Sequence, residues 1–134
     1  MHGLHILAEL RGCACDAGLM HDVAPLRALC LGACADAGLT VVAEAFHRFG
    51  TPAAPAGATG AVVLAESHLA VHTWPEFGAV TLDIYVCNFS QDNRAAAEGA
   101  YAALCAAFAP RETARRDVIR GELEADQIKQ SKLR

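Results

Sequence analysis

The chain has 134 residues, 54% hydrophobic and 19% charged, a balance that suits one well-packed domain with little length left for a second. A formal charge of −4 gives no electrostatic ground for a nucleic-acid partner; the arginines Arg111, Arg115, Arg116 and Arg120 are diluted by Glu122, Glu124 and Asp126, which reads as a solvated terminal face. No run approaches the ~20 apolar residues of a membrane span, and the opening MHGLHILAELRG lacks a basic region followed by an apolar stretch and a cleavage site, so a cytoplasmic protein with no membrane partner is expected.

From the start, Gly3 to Leu10 alternates as a strand, with Leu4, Ile6, Ala8 and Leu10 on one side and His5, Leu7 and Glu9 on the other. Asp22 can cap a helix with Pro25 in its first turn, where a missing N–H costs nothing. Leu26, Leu29, Cys30, Ala33 and Ala37 form its apolar stripe and Gly38 stops it. A strand from Leu39 to Phe49 follows, then a loop from Gly50 to Gly60 marked by Pro52, Pro55 and Gly57. Strands are expected at Ala61 to Ala65, His68 to Thr73 and Ala79 to Asn88, the last entered through a turn at Pro75 to Gly78. The alanine-rich run from Asn93 to Phe108 is helical, burying Ala97, Tyr101, Leu104, Cys105 and Phe108, and a last strand spans Thr113 to Ile119.

That order predicts a two-layer α+β sandwich, two helices on one face of a mainly antiparallel sheet. Along the Ala79 strand, Val80, Leu82, Ile84 and Val86 share the face suited to helices, whereas Thr81, Asp83, Tyr85 and Cys87 share the other. By the same parity Leu69 and Val71 oppose His68, Ala70 and His72. His72 and Cys87 then emerge on a helix-free face that still carries Tyr85 and Phe49, which predicts a homodimer stacked sheet to sheet as a four-layer αββα assembly.

The residues with the strongest chemical signal lie in the string ESHLAVHTWPEFGAVTLDIYVC, Glu66 to Cys87. Together with Gly3, His5 and Glu9, with Phe46-His47-Arg48-Phe49, and with Asp83 and Cys87, it resembles the prokaryotic S-adenosylmethionine decarboxylases, which are pyruvoyl enzymes made as proenzymes. The resemblance implies autocatalytic cleavage between Glu66 and Ser67 into residues 1–66 and 67–134. Ser67 becomes the pyruvoyl cofactor that forms a Schiff base with the small-molecule substrate, His72 is the proton acceptor in processing, and Thr59 gives that processing hydroxyl support. It also makes Cys87 the proton donor, and Phe49, Leu69 and Glu76 the substrate-binding residues. The implied product feeds spermidine synthesis. Five positions separate Ser67 from His72, opposite faces of an undistorted strand, so the mechanism requires a kink or turn at Glu66 to His68.

Other readings compete at several positions. Pyruvoyl chemistry on arginine or ornithine would use the same machinery, and a non-processing regulatory or ligand-binding paralogue would keep the fold alone. His68 either contacts substrate or supports the fold beside the cut. Cys13 and Cys15 with His21, His2 or His5 do not complete a four-ligand set at the usual spacing, so no metal is expected. All six cysteines are expected as thiols, with Cys30, Cys34 and Cys105 explained by core packing.

Overall fold

The computed structural model describes residues 2–122; Glu124 and Asp126 of the expected terminal face lie outside the described residues. Strands β1 (Gly3–Arg11), β2 (Val41–Gly50), β3 (Pro55–Leu64), β4 (Ser67–Trp74), β5 (Ala79–Cys87) and β6 (Glu112–Arg120) form one sheet in the order β2-β3-β4-β5-β1-β6, every neighbouring pair antiparallel. Helices α1 (Ala17–His21), α2 (Val23–Asp36) and α3 (Arg94–Phe108) provide the second layer. The α+β sandwich expected from the pattern is therefore present, with a short extra helix, α1, that a five-residue stretch gave no periodicity to reveal.

Parity decides which side of each strand is covered. Leu4, Ile6, Ala8 and Leu10 of β1 are buried, as are Val80, Leu82, Ile84 and Val86 of β5. They meet Leu26, Cys30 and Cys34 of α2 and Ala97, Ala100, Leu104 and Phe108 of α3 in one apolar cluster. A fully buried Leu, Ile or Phe in such a cluster contributes roughly 1.5–3 kcal/mol. Burial pushes the Cys30 thiol up to about 12 and that of Cys34 up to about 11, so both are packing groups. Tyr101 and Cys105, expected inside, are only partly buried, and Ala100 occupies the inner face instead.

Two boundaries differ from the sequence reading. Asp22 stands at the start of α2 with no side-chain cap; its carbonyl accepts from Leu26 N–H. The expected loop from Gly50 to Gly60 is mostly strand: only residues 51–54 turn, and β3 begins at Pro55. Alanine and glycine have little strand preference of their own, but β2 pairs with this segment from Pro55 on and β4 joins from Thr59 on. Its glycines are needed for close approach: a Cβ on Gly60 would fall 2.2 Å from the Phe46 ring, and one on Gly57 2.7 Å from the Thr73 carbonyl.

The opposite sheet face has no helix over it. There Leu7, Phe49, Val63, Trp74 and Val118 are all more than a third exposed. Among the described residues no helix is long and apolar enough to cross a membrane.

Candidate active site

Strands β3 and β4 are joined by a two-residue hairpin turn, Ala65 and Glu66, closed by the pair Leu64–Ser67. Glu66 has φ +64°, a left-handed backbone that costs an L-residue with a side chain roughly 1–2 kcal/mol. Its carboxylate accepts a hydrogen bond from the Ser90 hydroxyl, 3.1 Å. Ser67 opens β4 and is buried, its hydroxyl accepting from the Cys87 main-chain N–H at 3.4 Å. Asn93, itself buried, donates from its side chain to the Cys87 carbonyl at 2.9 Å while its own N–H is held by Asn88 Oδ1 at 2.8 Å. The end of β5 is thus pinned beside the Glu66–Ser67 peptide, and a small cleft of about 150 Å³ lined by Thr40, Ala65, Glu66, Ser90 and Asn93 opens on that peptide.

A second group of residues gathers at the far end of β4. Thr59 pairs directly with His72 across the ladder, and the Thr59 hydroxyl lies 2.5 Å from His72 Nδ1. Phe49 from β2, Trp74 from β4 and Glu76 from the 3-10 turn Pro75–Phe77 join them around a cavity of about 470 Å³. The turn is held by Gly78 at φ +59°, and Trp74 Nε1 donates to the Thr81 hydroxyl at 3.1 Å.

Between the two ends lies a polar cluster that sequence order could not reveal. Asp83 Oδ2 accepts from His5 Nε2 and from His68 Nε2, each at 2.8 Å, because the order β4-β5-β1 places those strands on either side of it. Arg120 Nη1 donates to His5 Nδ1 at 3.1 Å, so the His5 proton sits on Nε2, toward Asp83. Among the described residues this is the one group whose three ligand-type atoms lie within 4.8 Å of one another. Its hydrogen bonds account for it as a carboxylate held between two imidazoles. Strand parity places His68 and Asp83 on the open face, but it does not reveal their meeting with each other or with His5.

The expected residues are therefore sorted rather than gathered. Glu66, Ser67 and the Cys87 main chain meet at one end, Ser67 facing the helices and the Cys87 side chain the open face; Phe49, Thr59, His72 and Glu76 meet at the other. Leu69 is fully buried in the core beneath the helices, as its parity with Val71 dictates. The turn required near Ser67 exists at Glu66, but the ladder is regular from Ser67 onward, and five strand residues span about 16 Å, so His72 cannot reach Ser67 within one chain.

Residues 4–121 match the S-adenosylmethionine decarboxylase family. A crystal structure of the adenosylmethionine decarboxylase from Aquifex aeolicus superposes with a TM-score of 0.79 at 36% identity, covering 92% of this chain and 93% of that one. The S-adenosylmethionine decarboxylase proenzyme of Thermoplasma volcanium is 35% identical over 93% of this chain and 88% of its own length. That of Pelotomaculum thermopropionicum is 40% identical over 85 residues, and the matched stretch spans 63% of the relative.

Proposed function

As the chain belongs to the S-adenosylmethionine decarboxylase family, we propose that it is an S-adenosylmethionine decarboxylase made as a proenzyme, which cuts its own Glu66–Ser67 bond and works as a homodimer in the cytoplasm. The observation that carries this reading is the strained Glu66 placed immediately before a buried Ser67 whose hydroxyl is held by the Cys87 backbone. In the cut, Ser67 Oγ attacks the Glu66 carbonyl carbon, the peptide C–N bond breaks and an ester takes its place. Removal of the Ser67 α-proton by an imidazole then expels the Glu66 carboxylate, and hydrolysis of the resulting dehydroalanine releases ammonia. The pyruvoyl group so formed, once joined to the substrate amine, supplies an electron sink for the pair left by departing CO2.

Under this reading the products are residues 1–66 and 67–134. The chain's other groups supply protons and recognition. The Cys87 thiol returns a proton to the substrate α-carbon. Glu76 accepts from ribose hydroxyls and Phe49 stacks on adenine in the cavity they share with His72, and Thr59 orients the imidazole through Nδ1. The distance between the two ends of β4 supports the dimer: His72 and Thr59 of one protomer would serve the Glu66–Ser67 bond of the other. The exposed apolar residues of the open sheet face give a second sheet something to bury. The decarboxylated product is a donor of aminopropyl groups for polyamine synthesis.

Intact-mass measurement of purified protein tests the first step: two fragments divided after Glu66, the second with a blocked amino terminus, are expected. CO2 release with S-adenosylmethionine, arginine and ornithine in parallel tests the substrate. A full-length chain inert to hydroxylamine overturns the enzyme, and release from a free amino acid alone overturns the substrate.

A further inference from the structure

Tyr85 lies two residues before Cys87 on the same open face of β5. Across the ladder, Gly3 is the direct partner of Cys87. A Cβ built on Gly3 would stand 2.7 Å from Tyr85 Cε2 and 2.9 Å from the Tyr85 hydroxyl oxygen. The ring therefore leans back over the glycine, and its hydroxyl ends on the row that Cys87 occupies, since directly paired residues keep their Cβ positions about 5 Å apart. Any larger residue at position 3 would deny Tyr85 this place.

The ring is held there from several strands. The Arg120 guanidinium of β6 lies over it, 4.5 Å from the centroid, and the rings of His5 on β1 and His68 on β4 flank it at 5.7 Å each. Both imidazoles are fixed by Asp83, and His5 also by Arg120. These are the charged and titratable groups facing the ring; Glu66 at the hairpin is engaged by Ser90. Desolvation, and after it the charge of Cys87, push the Tyr85 hydroxyl above the ordinary tyrosine range, while Arg120 pulls it down. A phenol in that condition keeps its proton at neutral pH and donates it.

We propose that Tyr85 is the positioning residue for the Cys87 thiol: its O–H donates to the Cys87 sulfur, fixes the direction of the S–H, and stabilises the thiolate left when that proton has passed to the substrate α-carbon. This rests on the proton-donor role given to Cys87 above. The proton lost from sulfur is restored from solvent, and the tyrosine O–H bond stays intact throughout. Nothing in the surrounding network, His5, His68, Asp83 or Arg120, needs to change charge.

The test uses the self-cleaved protein with both fragments retained. Tyr85→Phe keeps the ring and its Arg120 contact but removes the hydroxyl. It is expected to lower kcat about 10-fold or more, the effect of losing a hydrogen bond to a charged group, with KM unchanged and self-cleavage complete by intact mass. Gly3→Ala, which drives a methyl group into the ring, is expected to copy that loss. Because Tyr85 acts through the thiol, adding Tyr85→Phe to Cys87→Ala should cost nothing further. Unchanged kcat in Tyr85→Phe, or a full loss that persists on the Cys87→Ala background, overturns the proposal. A second readout needs no turnover. The chain has two tyrosines, so the tyrosinate absorbance missing from Tyr85→Phe belongs to Tyr85. It should develop at lower pH in Cys87→Ala than in the wild type, and identical titrations overturn the contact. Wild-type protein that releases no CO2 yet shows this linkage would remove the decarboxylase reading and leave the contact standing.

Discussion

The two ends of β4 differ in kind. At its start, Ser67 is buried, reads toward the helices and is tied to the Cys87 main-chain N–H of β5. At its finish, His72 is exposed on the open face beside Thr59 and a roomy cavity. On the proposed reading, one end holds the bond to be cut and the other a base with no such bond near it in the same chain. The lesson is that a string of neighbouring residues with the right chemistry need not form one site: an extended strand carries residues five apart to separate places, and pairing with a second copy is the economical way to reunite them.

The sharpest way to break that comparison is a mixture. Ser67→Ala alone is expected to stay whole, and His72→Ala alone to cleave ~10²-fold slower or worse, the usual weight of a general base. Co-expressed, the His72→Ala chains should recover cleavage, because each would borrow the imidazole of a Ser67→Ala partner. If they do not, the two ends act within one chain and the strand geometry has been misread. Next in size, Cys87→Ala should leave the cut intact, since the bond to Ser67 comes from the backbone, yet lower CO2 release by ~10²–10⁴-fold. A Cys87→Ala protein that cannot process would merge functions assigned here to separate groups. Leu69→Ala should cost about 2–5 kcal/mol in chemical denaturation while leaving KM for substrate unaltered, as befits a core residue; a raised KM with normal stability would return Leu69 to the pocket. Smallest of all, Glu66→Gly in the uncut Ser67→Ala background should raise stability by about 1 kcal/mol through relief of the positive φ. No gain would mean that the hairpin holds no strain at that peptide.

How far the sequence reached depends on which rule each segment obeys. β1 and β5 announce themselves by alternation, broken in β1 only by Leu7, and α3 by its apolar stripe, so their covered faces could be read directly. β3 could not: Pro55, Ala56, Gly57, Ala58 and Gly60 spell a loop in local terms, and only β2, joined by β4 from Thr59 on, makes them a ladder. Leu69 shows parity at work on a single residue. Its alternation with Val71 points inward, and the core is where its side chain lies. The Asp83 cluster was illegible for a different reason, since His5 and Asp83 are 78 positions apart and meet only through the strand order.

The threading of that sheet has a further consequence if the chain is severed after residue 66. β1 belongs to the leading piece but lies between β5 and β6 of the trailing one, and β3 of the leading piece is zipped to β4 of the trailing one. The halves would then be interleaved like the fingers of clasped hands, unable to part without dismantling the whole sheet. Nicked protein should melt as a unit, but recovery from denaturant would become a meeting of two molecules, faster at higher concentration. The uncut precursor would refold at a rate indifferent to dilution.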